Sequence, residues 1–178
     1  MSSKPRLLTF LDGLTIVLLV VATWMVFYYA PMEAVMGNVQ RVFYFHVAAG
    51  WVGMISFLVA AAVGIIYLRT SQRKWDIVGL SSVEIGIVFA LINVVTGSIW
   101  ARPIWNTWWT WDPRLTTATI MLLIYAAYLM LRAGIDDPNQ RARFGAVYAI
   151  IGFLSVPLTF FSASASSRLV FPLESMTL

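Results

Sequence analysis

The chain has 178 residues, 60% of them hydrophobic, 15% aromatic and only 11% charged, with 12 Lys and Arg against 8 Asp and Glu for a net charge of +4. Soluble domains carry about 25% charged residues, so this composition excludes a soluble enzyme, a secreted domain and a nucleic-acid binder. The absence of cysteine further excludes disulfides, thiolate metal sites, Cys nucleophiles and covalent c-type haem attachment to this chain.

Long charge-free stretches, each near or above the ~18–20 residues that cross a bilayer, predict an all-α membrane protein of about five transmembrane helices. Their expected ranges are Leu14–Ala30, Phe43–Leu68, Ile77–Trp100, Leu115–Leu131 and Phe144–Phe161. Helices follow because lipid offers no partner to unpaired backbone groups. The first stretch is too long for a leader's apolar region and lacks a small-residue cleavage site, so it is expected to remain as a span. No internal repeat points to an inverted-repeat transporter.

Helix 2 opens on Gln40-Arg41-Val42-Phe43-Tyr44-Phe45-His46 and brings the chain's single histidine about one turn into the membrane. Two readings stand for His46: a hydrogen-bonded packing residue, or a functional group, since ionisable side chains at membrane depth are costly and neutral imidazole is a common axial ligand of haem iron. Arg41 lies beside it as an anion partner. Helix 3 carries Glu84 and Asn93, expected to bond neighbouring helices, with a proton or ion path as the weaker alternative. The eight Met read as packing residues.

Between helices 3 and 4, residues Trp100 to Asp112 hold five of the eight tryptophans. An interfacial aromatic belt explains one or two of these. Five in one connection also suit an apolar platform for a flat ligand. Asp112-Pro113 is a helix start, with Asp as N-cap and Pro in the first turn. Arg102 and Arg114 bracket the cluster, either as fork-shaped partners for ligand carboxylates or as residues snorkelling to the interface.

Basic residues set the orientation. Eight (Lys4, Arg6, Arg69, Arg73, Lys74, Arg132, Arg141 and Arg143) fall on one side and four (Arg41, Arg102, Arg114 and Arg168) on the other. The positive-inside rule puts the N-terminus in the cytoplasm and the Trp-rich loop outside, on the same face as the start of helix 2. One histidine, no cysteine and no Gly-rich phosphate loop leave no triad, zinc site or nucleotide site, and the chain is not expected to be an enzyme.

The run from Gly97 to Thr116, with Trp105-Asn106-Thr107-Trp108-Trp109-Thr110-Trp111-Asp112-Pro113-Arg114 at its centre, resembles the WWD signature of the haem-handling proteins of cytochrome c biogenesis. Gln40-Arg41-x-x-Tyr44-x-His46 resembles the same family's second-helix motif. Size and helix spacing match the haem exporter protein C branch, over about residues 10 to 160. The resemblance implies a subunit of the bacterial cytoplasmic (inner) membrane that holds haem b as transient cargo at the periplasmic face. It implies work with ATP-binding-cassette (ABC) transporter subunits and delivery to a membrane-anchored haem chaperone. By position, His46 matches the first axial iron ligand, and Trp105, Trp108, Trp109, Trp111 and Asp112 match the WWD contacts. Arg41, Arg102 and Arg114 are then candidates for the propionates.

The family places a second axial histidine beyond helix 5, then a sixth helix. Residues 162–178 show neither, so the chain divides into a membrane domain, 1–161, and an atypical tail, 162–178, for which a frameshift or truncated gene is the expectation. A second iron ligand would then come from a partner, a second copy, or a weaker Met or Tyr donor. Alternatives are an ABC-type permease subunit that itself transports haem, and a structural subunit with a degenerate site.

Overall fold

A computed structural model describes residues 5–34, 36–159 and 161–162. Five helices follow in order: α1 (Arg6–Trp24), α2 (Gln40–Thr70), α3 (Arg73–Trp105), α4 (Pro113–Ala133) and α5 (Pro138–Phe153). α1 runs on through a π-helical turn, Met25–Tyr29. α5 breaks at Leu154 and resumes to Thr159; Pro157 has no N–H to bond the Phe153 carbonyl. All five spans are long and apolar enough to cross a membrane. Every expected span is present, and the helices outrun the apolar windows at most ends because charged and capping residues continue the helical backbone.

The difference that bears on the site lies at α3, expected to stop at Trp100. It continues through Pro103 and ends at Trp105, where Asn106 takes a left-handed conformation (φ 53°). Pro103 costs the last turns one N–H. So half of the expected Trp-rich loop is helix, and only residues 106–112 form the connection.

α2 and α3 form an antiparallel hairpin across the two residues Ser71 and Gln72, with Ser71 left-handed (φ 53°). Small residues let these helices approach closely, as membrane interfaces favour. A Cβ on Gly86 would fall 2.4 Å from the Phe57 ring, and one on Gly64 would fall 3.1 Å from the Ala146 carbonyl oxygen of α5. Phe57 stacks on Tyr125 of α4, with centroids 3.7 Å apart and planes 10° from parallel. Around this pair Ala60, Val83, Ala90, Tyr128, Ala149 and Val156 complete a core shared by α2, α3, α4 and α5. α1 contributes no buried residue.

A second tie lies at the opposite end of the bundle from the tryptophans. Arg132 of α4 donates both guanidinium nitrogens to Asp76 of α3, at 2.6 and 3.2 Å, with both side chains almost wholly buried. Arg73 adds a second cation, 3.2 Å from the same carboxylate. Gly145 leaves room for this fork: a Cβ there would fall 2.5 Å from Arg132 Nη1.

Candidate functional site

Where α2 begins, α3 ends and α4 begins, His46, Trp100, Trp105, Trp108 and Arg114 line one cavity of about 270 Å³. Its floor is apolar, formed by residues such as Met54, Phe57, Met121 and Val156. The cavity is smaller than the ~300–1,000 Å³ that encloses a drug-sized ligand. A larger flat molecule would enter by one edge and leave the rest against the exposed indoles of Trp105 and Trp108, 45% and 58% exposed.

His46 is fixed by α3. Its Nδ1 lies 2.9 Å from the Asn93 carbonyl oxygen, which can only accept, and 3.3 Å from the Asn93 side-chain nitrogen, which can only donate; the shorter contact assigns the proton to Nδ1. Thr96 is compatible with this assignment: its hydroxyl proton is spent on the Ile92 carbonyl at 2.6 Å, so the Thr96 oxygen, 3.4 Å from Nδ1, has none to donate to it. The Asn93 side-chain amide donates in turn to the His46 carbonyl at 2.8 Å. With Nδ1 so engaged, the Nε2 lone pair is the free one, and no hydrogen bond reaches it among the described residues. This is the arrangement that makes imidazole a metal ligand of fixed tautomer and orientation. Two glycines make it possible: a Cβ on Gly97 would sit 3.0 Å from His46 Cε1, and one on Gly50 would sit 2.9 Å from Asn93 Nδ2.

The tryptophans are held by one another and by cations. Trp100 meets Trp105 edge to face at 5.2 Å, and Phe43 packs 5.8 Å from Trp100. The Arg114 guanidinium lies 5.1 Å from the Trp105 ring centre and that of Arg102 lies 5.9 Å from Trp108. Such cation–π contacts stiffen rings that would otherwise swing freely. Arg102 also donates to the carbonyl and side-chain oxygens of Asn106, which closes the end of α3. The indole N–H of Trp100 is buried and lacks a partner among the described residues, a cost that a bound acceptor would remove.

Asp112 caps α4 as its sequence position implies, accepting from the Leu115 amide at 3.0 Å and the Thr110 hydroxyl at 2.8 Å. Arg114 stands 3.7 Å away. Partial burial works to raise the carboxyl's pKa, but these hydrogen bonds and the nearby guanidinium outweigh it and hold the group below its usual range.

Of the residues singled out in sequence, then, His46, Asn93, Trp100, Trp105, Trp108 and Arg114 share the cavity. Trp109 and Trp111 pair edge to face at 5.7 Å outside its lining, and Asp112 and Arg102 brace the loop from beside it. Arg41 faces a different groove, 5.6 Å over Phe27. Asn93 does bond across to α2, as expected of it. Glu84 does not: its side chain is exposed on α3, near Tyr128 of α4, with no hydrogen bond or ion pair among the described residues. The tail, 162–178, falls outside the described residues except for Ser162, which shares a 3.0 Å hydrogen bond with Thr117.

A family model described as "Heme exporter protein C" matches residues 1–170. The chain belongs to the haem exporter protein C family. Among curated relatives it is 29% identical to the Heme exporter protein C of Rhodobacter capsulatus over 163 residues, 92% of this chain and 67% of that one. It is 31% identical to that of Bradyrhizobium diazoefficiens over 157 residues, covering 88% of this chain and 59% of that one. For Escherichia coli K12 the identity is 33% over 139 residues, covering 76% and 56%. The chain thus spans between 56% and 67% of the length of these haem exporter proteins.

Proposed function

We propose that the chain is a haem-binding membrane subunit of cytochrome c maturation. It holds haem b as transient cargo at the outer face of a bacterial inner membrane and passes it to a membrane-anchored haem chaperone, in concert with ABC-transporter subunits. The observation that carries this reading is the His46 imidazole, locked through Nδ1 to α3 and left with a free Nε2 at a cavity walled by indoles. Family membership supplies haem as the ligand that suits such a site, and the residues present fit it on three counts. Nε2 is a neutral nitrogen donor for iron. Trp105 and Trp108 offer flat apolar faces to a porphyrin. Arg114, and Arg102 at the rim, offer guanidinium forks to the propionates. The orphan Trp100 N–H is a further donor for a ligand oxygen.

The work of these residues is binding and release. His46 gives the haem one orientation, the indoles exclude water from one porphyrin face, and the exposed outer rim leaves the other edge reachable by an acceptor protein. Glu84 and Asn93, the groups a permease path would need, lend that alternative no support: one is turned outward and the other is spent on His46.

Haem titration into the detergent-purified chain, followed by its Soret absorbance, tests the reading. Trp105→Ala combined with Trp108→Ala should weaken binding about tenfold or more, from lost stacking and burial, while Trp111→Ala, outside the cavity, should have a much smaller effect. Unchanged affinity in the double variant would instead favour a structural subunit with a degenerate site.

A further inference from the structure

Glu84 is the one charged residue of α3 between Asp76 and Arg102. At 1.5 Å per residue it stands about 12 Å along the axis from Asp76 and about 27 Å from Arg102, inside the hydrocarbon layer of ~30 Å. It faces outward, in a stripe of exposed residues at helical spacing: Ile77, Ser81, Ile85, Val88 and Ile92. The cations of the first turn of α3 and the last turn of α4 are already engaged. Arg132 and Arg73 both hold Asp76, and Lys74 lies over the Trp75 ring, 5.1 Å from its centre. A carboxyl group turned toward lipid tails has no hydrogen-bond partner there, and such groups ordinarily face a bundle interior.

We infer that this face of α3 is a docking surface for a transmembrane helix of another protein, one that presents a hydrogen-bond donor or cation to Glu84 at matching depth. Charge complementarity selects that occupant. A second copy of this chain is a poorer fit, because every Lys and Arg described in it lies at a helix end or connection and would leave two carboxyl groups facing one another. The apolar flanks supply the packing surface, and Ser81, one turn away, lets the partner's backbone approach closely. The inference depends only on the chain crossing the membrane and is independent of what the Trp-walled cavity binds.

The test is site-specific photo-cross-linking of the full chain in its native membranes. A benzophenone amino acid is placed at Val88, beside Glu84 in the stripe, and, as a control, at Leu58 on the exposed side of α2. The Val88 probe should give a discrete adduct with a transmembrane segment of a different protein that carries a donor or basic side chain level with Glu84, and the Leu58 probe should not. Glu84→Gln, which can still hydrogen-bond, should preserve most of the adduct. Glu84→Leu should reduce it about three- to thirty-fold, the range expected for a polar contact between membrane helices. Glu84→Leu should also leave the melting temperature of the isolated chain in detergent unlowered, which separates a lost interface from a lost fold. Adducts with lipid alone, with a second copy of this chain, or with a partner adduct indifferent to Glu84→Leu would overturn the inference.

Discussion

Gly97→Ala is the sharpest perturbation the site offers, because it adds one methyl group at the imidazole and nothing else. Its Cβ would lie 3.0 Å from His46 Cε1 and 3.3 Å from Nδ1, whereas carbon atoms rest at about 3.5–4.0 Å. The ring must retreat by about 0.5 Å, away from the α3 backbone that carries both Gly97 and the Asn93 carbonyl. The 2.9 Å bond from Nδ1 then stretches to about 3.4 Å, where little of it survives. Partners that orient a metal-bound histidine typically contribute 10–100-fold to affinity, so Gly97→Ala should weaken haem binding by about tenfold. Gly79→Ala is the control. It sits on the same helix with a comparably tight Cβ, 3.3 Å from Val63 Cγ2, but far from His46. The assay is a Soret titration of both variants in detergent, with thermal unfolding to confirm equal folding. If Gly97→Ala binds haem as tightly as Gly79→Ala, the orientation of His46 by α3 does not matter to the ligand, and the reasoning fails.

Other expectations follow from the same geometry. Replacing Asp76 by Ala strands the Arg132 guanidinium in the interior and should destabilise the chain by about 3–5 kcal/mol, read as a fall in melting temperature in detergent, and converting both residues to apolar ones should recover most of it. Gly145→Ala should lower stability through the same pair, because its Cβ displaces Arg132 Nη1. Asp112→Ala should cost about 1 kcal/mol for the lost cap. Since the folded state holds the Asp112 carboxyl below its ordinary value of 3.8, its contribution is complete above that value and is lost as the pH falls through the lowered folded pKa. A tryptophan-fluorescence melt should therefore show wild type and Asp112→Ala converging only in that acidic window; equal gaps at all pH values would contradict the assignment.

The spans were legible because five apolar runs of membrane length leave few other folds, and the cap at Asp112 because Asp-Pro has a local meaning wherever it occurs. The site was half legible. His46 and the tryptophans stand out by rarity and density, but what holds them depends on the register between α2 and α3, which hydropathy does not carry. The two-residue turn at Ser71 and Gln72 does carry it. His46 and Gly97 each lie 24 residues from the helix ends that flank the turn, Gly50 and Asn93 each lie 20, and Phe57 and Gly86 each lie 13. Each is a pair in which the glycine's Cβ would press on its opposite number. Counting outward from a correctly placed turn would thus have paired Asn93 with the histidine's neighbourhood. Placing the end of helix 2 at Leu68 and the start of helix 3 at Ile77 obscured the count. Glu84 misled for a different reason: polarity within an apolar helix says that a partner is needed, and only the rotation of the helix says on which side. Arg132, counted among the orienting basic residues, is buried against Asp76, a pairing between residues 56 apart that local pattern does not encode.

In the proposed function, His46 offers its free nitrogen to haem iron. The most direct test is the absorption spectrum of the purified chain with haem, wild type beside His46→Gly, each with and without added imidazole. The Soret band should shift or vanish in His46→Gly and return toward the wild-type position when imidazole fills the space left by the side chain. A variant that binds haem with an unchanged spectrum, indifferent to imidazole, would contradict it.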